Sequence, residues 1–437
     1  MFANTEPNSL TKRLLSPFAV LLYVYVIYFL IGLTSIYGFV YPELSSLGTS
    51  IIGFYPSEKT LLLYAYAAVV LVFGYLLGKT IAERAEKAPI QQSKIDGGSP
   101  LRSLIERVRS LAIFQRYGVG FVAMLSGYMV AMSANLIQLY IGRLSLFDIA
   151  TRWEQSPVLV FISALNIMFV PGLFIFARTR GQRILAAVLF CFAVVTLGLF
   201  GARNIPAKLI VSTFLALTWV LKPRMMVKIG VGFFLILVLV MGVIGAISKA
   251  GIYGSDATWQ AAVALIYSDS VGTTYNLDRI VTLTPSDGVY GGALLKDSAL
   301  ALLPGLDAEY ANFQLGNYLG GRQYFVIDGV HIERSVSLAP TLLGAPYADW
   351  GILGVVGQML LLGLLFGYMQ KRTDRAAWLI APFVTMASYV INGVNAGVHN
   401  PYALAYLALA IGVCVLDAIA VRRMPWLYSI GAHRRTK

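Results

Sequence analysis

The stretch SVSLAPTLLGAPYADWGILGVVGQMLLLGLLFG, residues 335–367, decides the fold. Its first half is rich in Ser, Thr, Pro and Gly, the residues of turns and irregular chain. Its second half is an almost unbroken apolar run. A helix that crosses a bilayer needs about 20 largely apolar residues, and 350–370 supplies them. Tyr347, Asp349 and Trp350 stand at the join, where a span meets water. Aromatic residues concentrate at that depth. A polar, turn-rich segment therefore runs straight into a helix built for lipid.

The rest of the chain repeats the apolar half of this pattern. The spacing predicts further spans over 17–40, 59–78, 117–141, 157–177, 184–200, 207–221, 228–247, 376–392 and 402–421. Of the 437 residues, 58% are hydrophobic and 13% are charged, about half the charged share of an ordinary soluble domain. The expected fold is an all-α polytopic membrane protein of about ten spans. Residues 1–247 hold helices one to seven with a cytoplasmic loop at 79–116. Residues 248–349 form one large periplasmic loop. Residues 350–421 hold helices eight to ten, and 422–437 is a basic cytoplasmic tail.

The charges set the orientation. Alternate hydrophilic links collect 24 of the 34 Lys and Arg but only seven of the 21 Asp and Glu. Lys and Arg stay on the cytoplasmic side of short links, so both termini are expected there. The same asymmetry accounts for the net charge of +13, and no nucleic-acid partner is needed to explain it. Leu101–Arg116 reads as a basic amphipathic helix on the inner leaflet. Cys191 and Cys414 lie inside apolar runs and read as small hydrophobes. No Cys/His spacing fits a metal site. No nucleophile elbow, phosphate-binding Gly-rich loop or zinc-protease motif is present.

Four places carry candidate chemistry. Arg203 and Lys208 flank the turn in LGLFGARNIPAKL. They are either snorkelling cations or an anion site at membrane depth. Arg322, His331, Glu333 and Arg334 cluster in GGRQYFVIDGVHIERS, with Arg279 earlier in the same loop. Arginine forks suit phosphate oxygens, and His331 or Glu333 suits general base or acid chemistry. Tyr347 and Asp349 stand at the base of the loop, Asp349 either as a helix cap or as a base. Asn395 and His399, in NGVNAGVHNPY, suit sugar hydroxyls.

The architecture, the turn LFGARNIPAKL and above all the exit SLAPTLLGAPYADWGILGVVGQMLLLGLLFG resemble the O-antigen polymerases (Wzy), the oligosaccharide repeat unit polymerases. The resemblance implies a GT-C-like membrane glycosyltransferase of the bacterial inner membrane. Its substrate would be an undecaprenyl diphosphate-linked oligosaccharide. It implies no cofactor or metal, and a chain-length regulator as a possible partner. Arg203, Lys208, Arg279, Arg322, Arg334, Tyr347, Asn395 and His399 would bind substrate and pyrophosphate. His331, Glu333 and Asp349 would be the catalytic candidates. The related O-antigen ligases carry a His-Asn pair in the long loop. In this chain that pair is His399–Asn400, beyond the ninth span, and the loop has His331–Ile332. A lipid-linked oligosaccharide flippase or transporter is the alternative from another class. Such proteins place charges near the midplane, whereas here they gather at span ends and in one loop.

Overall fold

The computed structural model describes residues 14–34, 56–87, 100–142, 157–198, 204–221, 225–226, 228–233, 235–236, 272–285, 288, 290–300, 322–327, 330–335, 341–374, 377–397 and 401–423. Side chains of the 322–335 strands, and of parts of some helices, are not among those described. The helices are α1 (Pro17–Thr34), α2 (Glu58–Lys87), α3 (Pro100–Tyr140), α4 (Pro157–Phe176), α5 (Arg180–Gly198) and α6 (Asn204–Val220). Then come α7 (272–283) and α8 (Ala293–Leu300), and after them α9 (Gly344–Thr373), α10 (Ile380–Ala396) and α11 (Pro401–Arg423). The expected span 228–247 is described only at 228–233 and 235–236, where it is helical.

Among the described residues, four helices are long and apolar enough to cross a membrane: Glu58–Ala85, Arg180–Gly198, Gly344–Thr373 and Ala377–Val394. Four shorter apolar helices accompany them: Pro17–Leu33, Ala164–Phe176, Ile205–Val220 and Ala403–Asp417. Their outward faces are apolar too. Leu62, Val69, Phe73, Val188 and Val195 are all exposed. Lipid is the solvent that accepts such a surface, and the protein is a membrane protein.

Small residues set the closest helix pair. Gly74 and Gly78 on α2 meet Gly363 and Gly367 on α9, each pair spaced four apart. A Cβ on Gly363 would stand 2.8 Å from the Tyr75 amide nitrogen, and one on Gly74 would stand 2.7 Å from the Leu360 carbonyl oxygen. Neither fits, so both backbones need glycine to approach this closely. Phe18 of α1 closes over the pair, its ring 3.8 Å from that of Tyr75 and nearly parallel to it.

α10 lies at the centre, packed against α1, α4, α6 and α11. Beside it, α4 solves a local problem. Pro171 has no N–H, so the Ile167 carbonyl one turn back loses its helical donor. The Ser212 hydroxyl of α6, which donates to its own Leu209 carbonyl at 3.0 Å, also approaches that oxygen at 3.4 Å. In lipid such a group must find a partner within the protein.

One end of the bundle is basic. There Arg372 Nε meets Asp417 Oδ2 at 2.6 Å, joining α9 to α11, with both side chains buried. The Tyr368 hydroxyl donates to the same oxygen at 3.3 Å. Lys371 and Glu83 add a partly exposed pair at 3.3 Å between α9 and α2. Arg372 and Asp417 become partners because α9 and α11 pack together at this end.

Three expectations change. α2 runs to Lys87, nine residues past the expected span. The amphipathic segment and the third span are one 41-residue helix, α3. At 1.5 Å per residue this is about 60 Å long, about twice a bilayer core, and no proline interrupts it after Pro100. The expected all-α loop contains an antiparallel hairpin, β1 (Arg322–Ile327) and β2 (Val330–Ser335). The loop sequence also carries helical patterns at Asp256–Asp269 and Gly291–Leu303; the second contains α8, and the first lies outside the described residues.

Candidate functional site

The end of the bundle opposite the Arg372–Asp417 pair carries Tyr347, Asp349 and Arg279 among the described candidate residues. The segment 341–349 builds its floor. Thr341 has φ 56°, a left-handed conformation that a β-branched residue adopts only when its surroundings impose it. Its hydroxyl accepts from the Gly344 amide at 3.0 Å. The next amide, Leu342, donates to the Val394 carbonyl of α10 at 3.3 Å. The Gln358 side chain donates to the Leu342 carbonyl at 2.6 Å. The Thr-Leu-Leu-Gly turn is therefore pinned to two spanning helices.

Beyond the turn, α9 breaks. Trp350 (φ −137°, ψ 20°) and Gly351 (φ 60°, ψ −142°) separate its first turns from the long span. Gly351 has the positive φ that only glycine adopts freely. The break turns Asp349 toward α8. Its two carboxylate oxygens accept from the Leu294 and Leu295 amides, each at 3.0 Å. The Asp349 carbonyl accepts from Gly291 at 2.9 Å, and the Ala348 carbonyl from Tyr290 at 3.2 Å. A helix leaves its first amides without partners, and a carboxylate there satisfies them and favours the helix dipole. At 1% exposed, with both oxygens occupied, Asp349 is placed as a clamp on the loop.

α7 packs between this floor and the start of α2. Asp278 Oδ1 accepts from the Ser57 amide at 2.7 Å, the Ser57 hydroxyl at 2.6 Å and the Thr60 hydroxyl at 2.8 Å. The carboxylate thus caps α2 from 221 residues away. Its neighbour Arg279 extends along Tyr275. The guanidinium lies 5.8 Å from the ring centroid, and one nitrogen donates to the hydroxyl at 3.3 Å.

Two more cations at this end lie over tyrosines. Lys59 Nζ stands 5.5 Å from the centroid of Tyr347, whose ring is buried. Lys208 Nζ stands 4.4 Å from the centroid of Tyr389. Tyr389 in turn stacks on Tyr406 at 4.2 Å and 16°. A ring face attracts a cation through its quadrupole and leaves the net charge intact.

The hairpin fixes a register for the second candidate cluster. Arg322 pairs with Ser335, Gln323 with Arg334, Tyr324 with Glu333 and Val326 with His331. Positions 322, 331 and 333 share one parity of the ladder, and 334 belongs to the other. Arg203 and His399 lie outside the described residues, as does the side chain of Asn395.

The structure thus brings Tyr347 and Asp349 onto one floor, packs α7 with Arg279 against its base through Ile280 and Gly344, and sets Lys208 against α10. Sequence reading missed Lys59, Tyr275, Asp278 and Tyr389. Ser57 followed by Glu58 and Thr60 carried an N-cap signal, but nothing local links it to Asp278.

Comparison with known proteins supplies the family. No curated protein and no solved structure matches the chain. The family model described as "Putative O-antigen polymerase" matches residues 13–407, nearly the full length. Both motifs that carried the resemblance, LFGARNIPAKL and the loop exit, fall inside that match. The chain belongs to the O-antigen polymerase family.

Proposed function

We propose that this protein joins undecaprenyl diphosphate-linked oligosaccharide repeat units at the periplasmic face of the bacterial inner membrane. In this reading it has about ten spans in a GT-C-like arrangement, both termini are cytoplasmic, and the 248–349 loop is periplasmic. A chain-length regulator is its expected partner. The growing chain on one lipid diphosphate is the donor. A hydroxyl of a new lipid-linked unit is the acceptor. The acceptor oxygen bonds to the donor's anomeric carbon, the bond from that carbon to diphosphate breaks, and undecaprenyl diphosphate leaves. The acceptor's proton passes to a base, for which His331 and Glu333 are the candidates.

The observation that most supports this reading is the state of the cations at the loop end. Lys59, Lys208 and Arg279 lie over tyrosine rings, which helps to hold three cations in place at this end. A leaving diphosphate gains charge as the bond breaks, and preorganised donors aimed at such charge are worth about 3 kcal/mol each. Arg203, Arg322 and Arg334 are assigned to the same task, with Lys208 five residues along from Arg203. Tyr347 supports Lys59, and Asn395 and His399 are assigned to sugar hydroxyls.

A gel of surface glycolipid from a strain lacking the gene tests the reading. The expected result is loss of the long ladder with one repeat unit still joined to lipid A-core. Arg203→Ala, Arg322→Ala and Arg334→Ala are each expected to reproduce that loss at unchanged protein level. Lys at these positions is expected to rescue only in part, because it lacks the planar fork. Loss of every repeat, with lipid-linked polymer accumulating, would make the protein a ligase. An unchanged ladder would remove it from this polysaccharide altogether.

A further inference from the structure

Two buried carboxylates at the loop end are used differently. Asp349 accepts through both of its oxygens. Asp278 accepts through one. The Ser57 amide, the Ser57 hydroxyl and the Thr60 hydroxyl all reach its Oδ1, at 2.7, 2.6 and 2.8 Å. An ionised carboxylate offers about four lone-pair sites, shared between its two oxygens. Three donors therefore crowd one oxygen. Among the described residues, Oδ2 takes no hydrogen bond and no ion pair. Capping α2 needs Oδ1 alone and leaves Oδ2 to be explained.

Asp278 stands where three helices meet. Its own bonds join α7 to the start of α2. Ile280 of the same helix packs against Gly344 of α9. Tyr347 of α9 lies under Lys59 of α2, 5.5 Å from the ammonium. These three pairwise contacts close a triangle. Two more polar groups go unfilled at this junction. The Tyr347 hydroxyl is buried without a hydrogen-bond partner, and so is Nε of Arg279, the residue next to Asp278. Buried polar groups are nearly always paired, and each exception calls for a reason. Here a carboxylate oxygen, a phenol and a guanidinium nitrogen share one junction, and a polar ligand with hydroxyl groups would complete them.

We propose that Asp278 is the general base of chain elongation and that the junction of α2, α7 and α9 receives the acceptor sugar. This rests on the polymerase reading, and it moves the base from the hairpin into the bundle. Oδ2 takes the proton of the acceptor hydroxyl as that oxygen bonds to the donor's anomeric carbon. The bond from that carbon to diphosphate breaks, and undecaprenyl diphosphate leaves with the bonding electron pair. The proton then passes from Asp278 to water, which restores the carboxylate. The three donors on Oδ1 hold the side chain in one orientation, so the base is in position before the acceptor arrives.

The test measures initial rates of elongation by the full-length protein in isolated membranes supplied with purified lipid-linked repeat units, alongside melting in detergent. Asp278→Asn separates the two roles. Asparagine caps a helix about as well as aspartate, so the melting temperature is expected to hold. Its carboxamide cannot take the proton. With KM little changed, kcat is expected to fall about a hundredfold or more, the range of general base catalysis. Asp278→Ala removes cap and base together, so it is expected to lose the same rate and to melt earlier as well. If the unaltered protein makes no polymer, the polymerase reading fails and the inference falls with it. If the unaltered protein elongates and Asp278→Asn does so with a normal kcat, the reading stands and Asp278 is not the base. A loss confined to KM, or an Asp278→Asn melting temperature as low as that of Asp278→Ala, would also overturn the inference, since these are the marks of a binding or a capping role.

Discussion

The two ends of α9 treat positive charge in opposite ways. At the Thr373 end, Arg372 and Lys371 each meet a carboxylate, Asp417 and Glu83. At the Gly344 end, Lys59, Lys208 and Arg279 each lie over a tyrosine. Two carboxylates at that second end serve as helix caps: Asp278 caps α2 and Asp349 caps α8. A buried ion pair cancels its own field and ties two helices together. A cation on a ring keeps its field and faces whatever anion arrives. The contrast divides the molecule into an end that holds helices in place and an end equipped to meet a charged ligand.

That division breaks first at the buried pair. Arg372→Ala leaves Asp417 charged and unpaired, and is expected to cost about 4 kcal/mol. It should be read as a large fall in melting temperature in detergent. Replacing both partners, Arg372→Met with Asp417→Leu, is expected to restore most of the melting temperature and normal elongation. A double variant that melts normally but cannot elongate would move chemistry to the wrong end. Next in size is Gly363→Ala. The added methyl meets the α2 backbone, so the helices must part, at about 2 kcal/mol. Proteolysis in membranes would read this as faster cleavage.

Asp349 sharpens the comparison at the loop end. Asp349→Ala orphans the Leu294 and Leu295 amides and is expected to cost about 1–2 kcal/mol. Asp349→Asn keeps one acceptor and is expected to elongate at close to the normal rate. A hundredfold loss in Asp349→Asn at normal melting temperature would assign Asp349 the role of base. The smallest effect belongs to Lys371→Ala. Its pair is partly exposed, worth about 0.5 kcal/mol, and neither melting nor elongation is expected to change measurably.

The apolar helices were legible because lipid demands long apolar runs and the sequence displays them directly. Their ends were less so. A charge ends the apolar run but not the helix, and Thr80–Lys87 continues α2 on good helix formers. The hairpin carried a signal that went unread. Asp328–Gly329 sits between RQYFVI and VHIERS, and such a pair between alternating runs marks a two-residue hairpin. The pairing of Lys208 with Tyr389, or of Asp278 with Ser57, had no such signal. Those contacts join segments some 180 and 221 residues apart, and only packing decides them. Composition marked the loop end as cationic and aromatic, but which ring holds which cation is a property of the folded bundle.

The most direct test of the central claim uses the protein reconstituted in vesicles with purified lipid-linked repeat units alone. The account expects products lengthening by whole repeats, with one undecaprenyl diphosphate released for each bond formed. No lengthening, or transfer of repeats only when a lipid A-core acceptor is added, would contradict it.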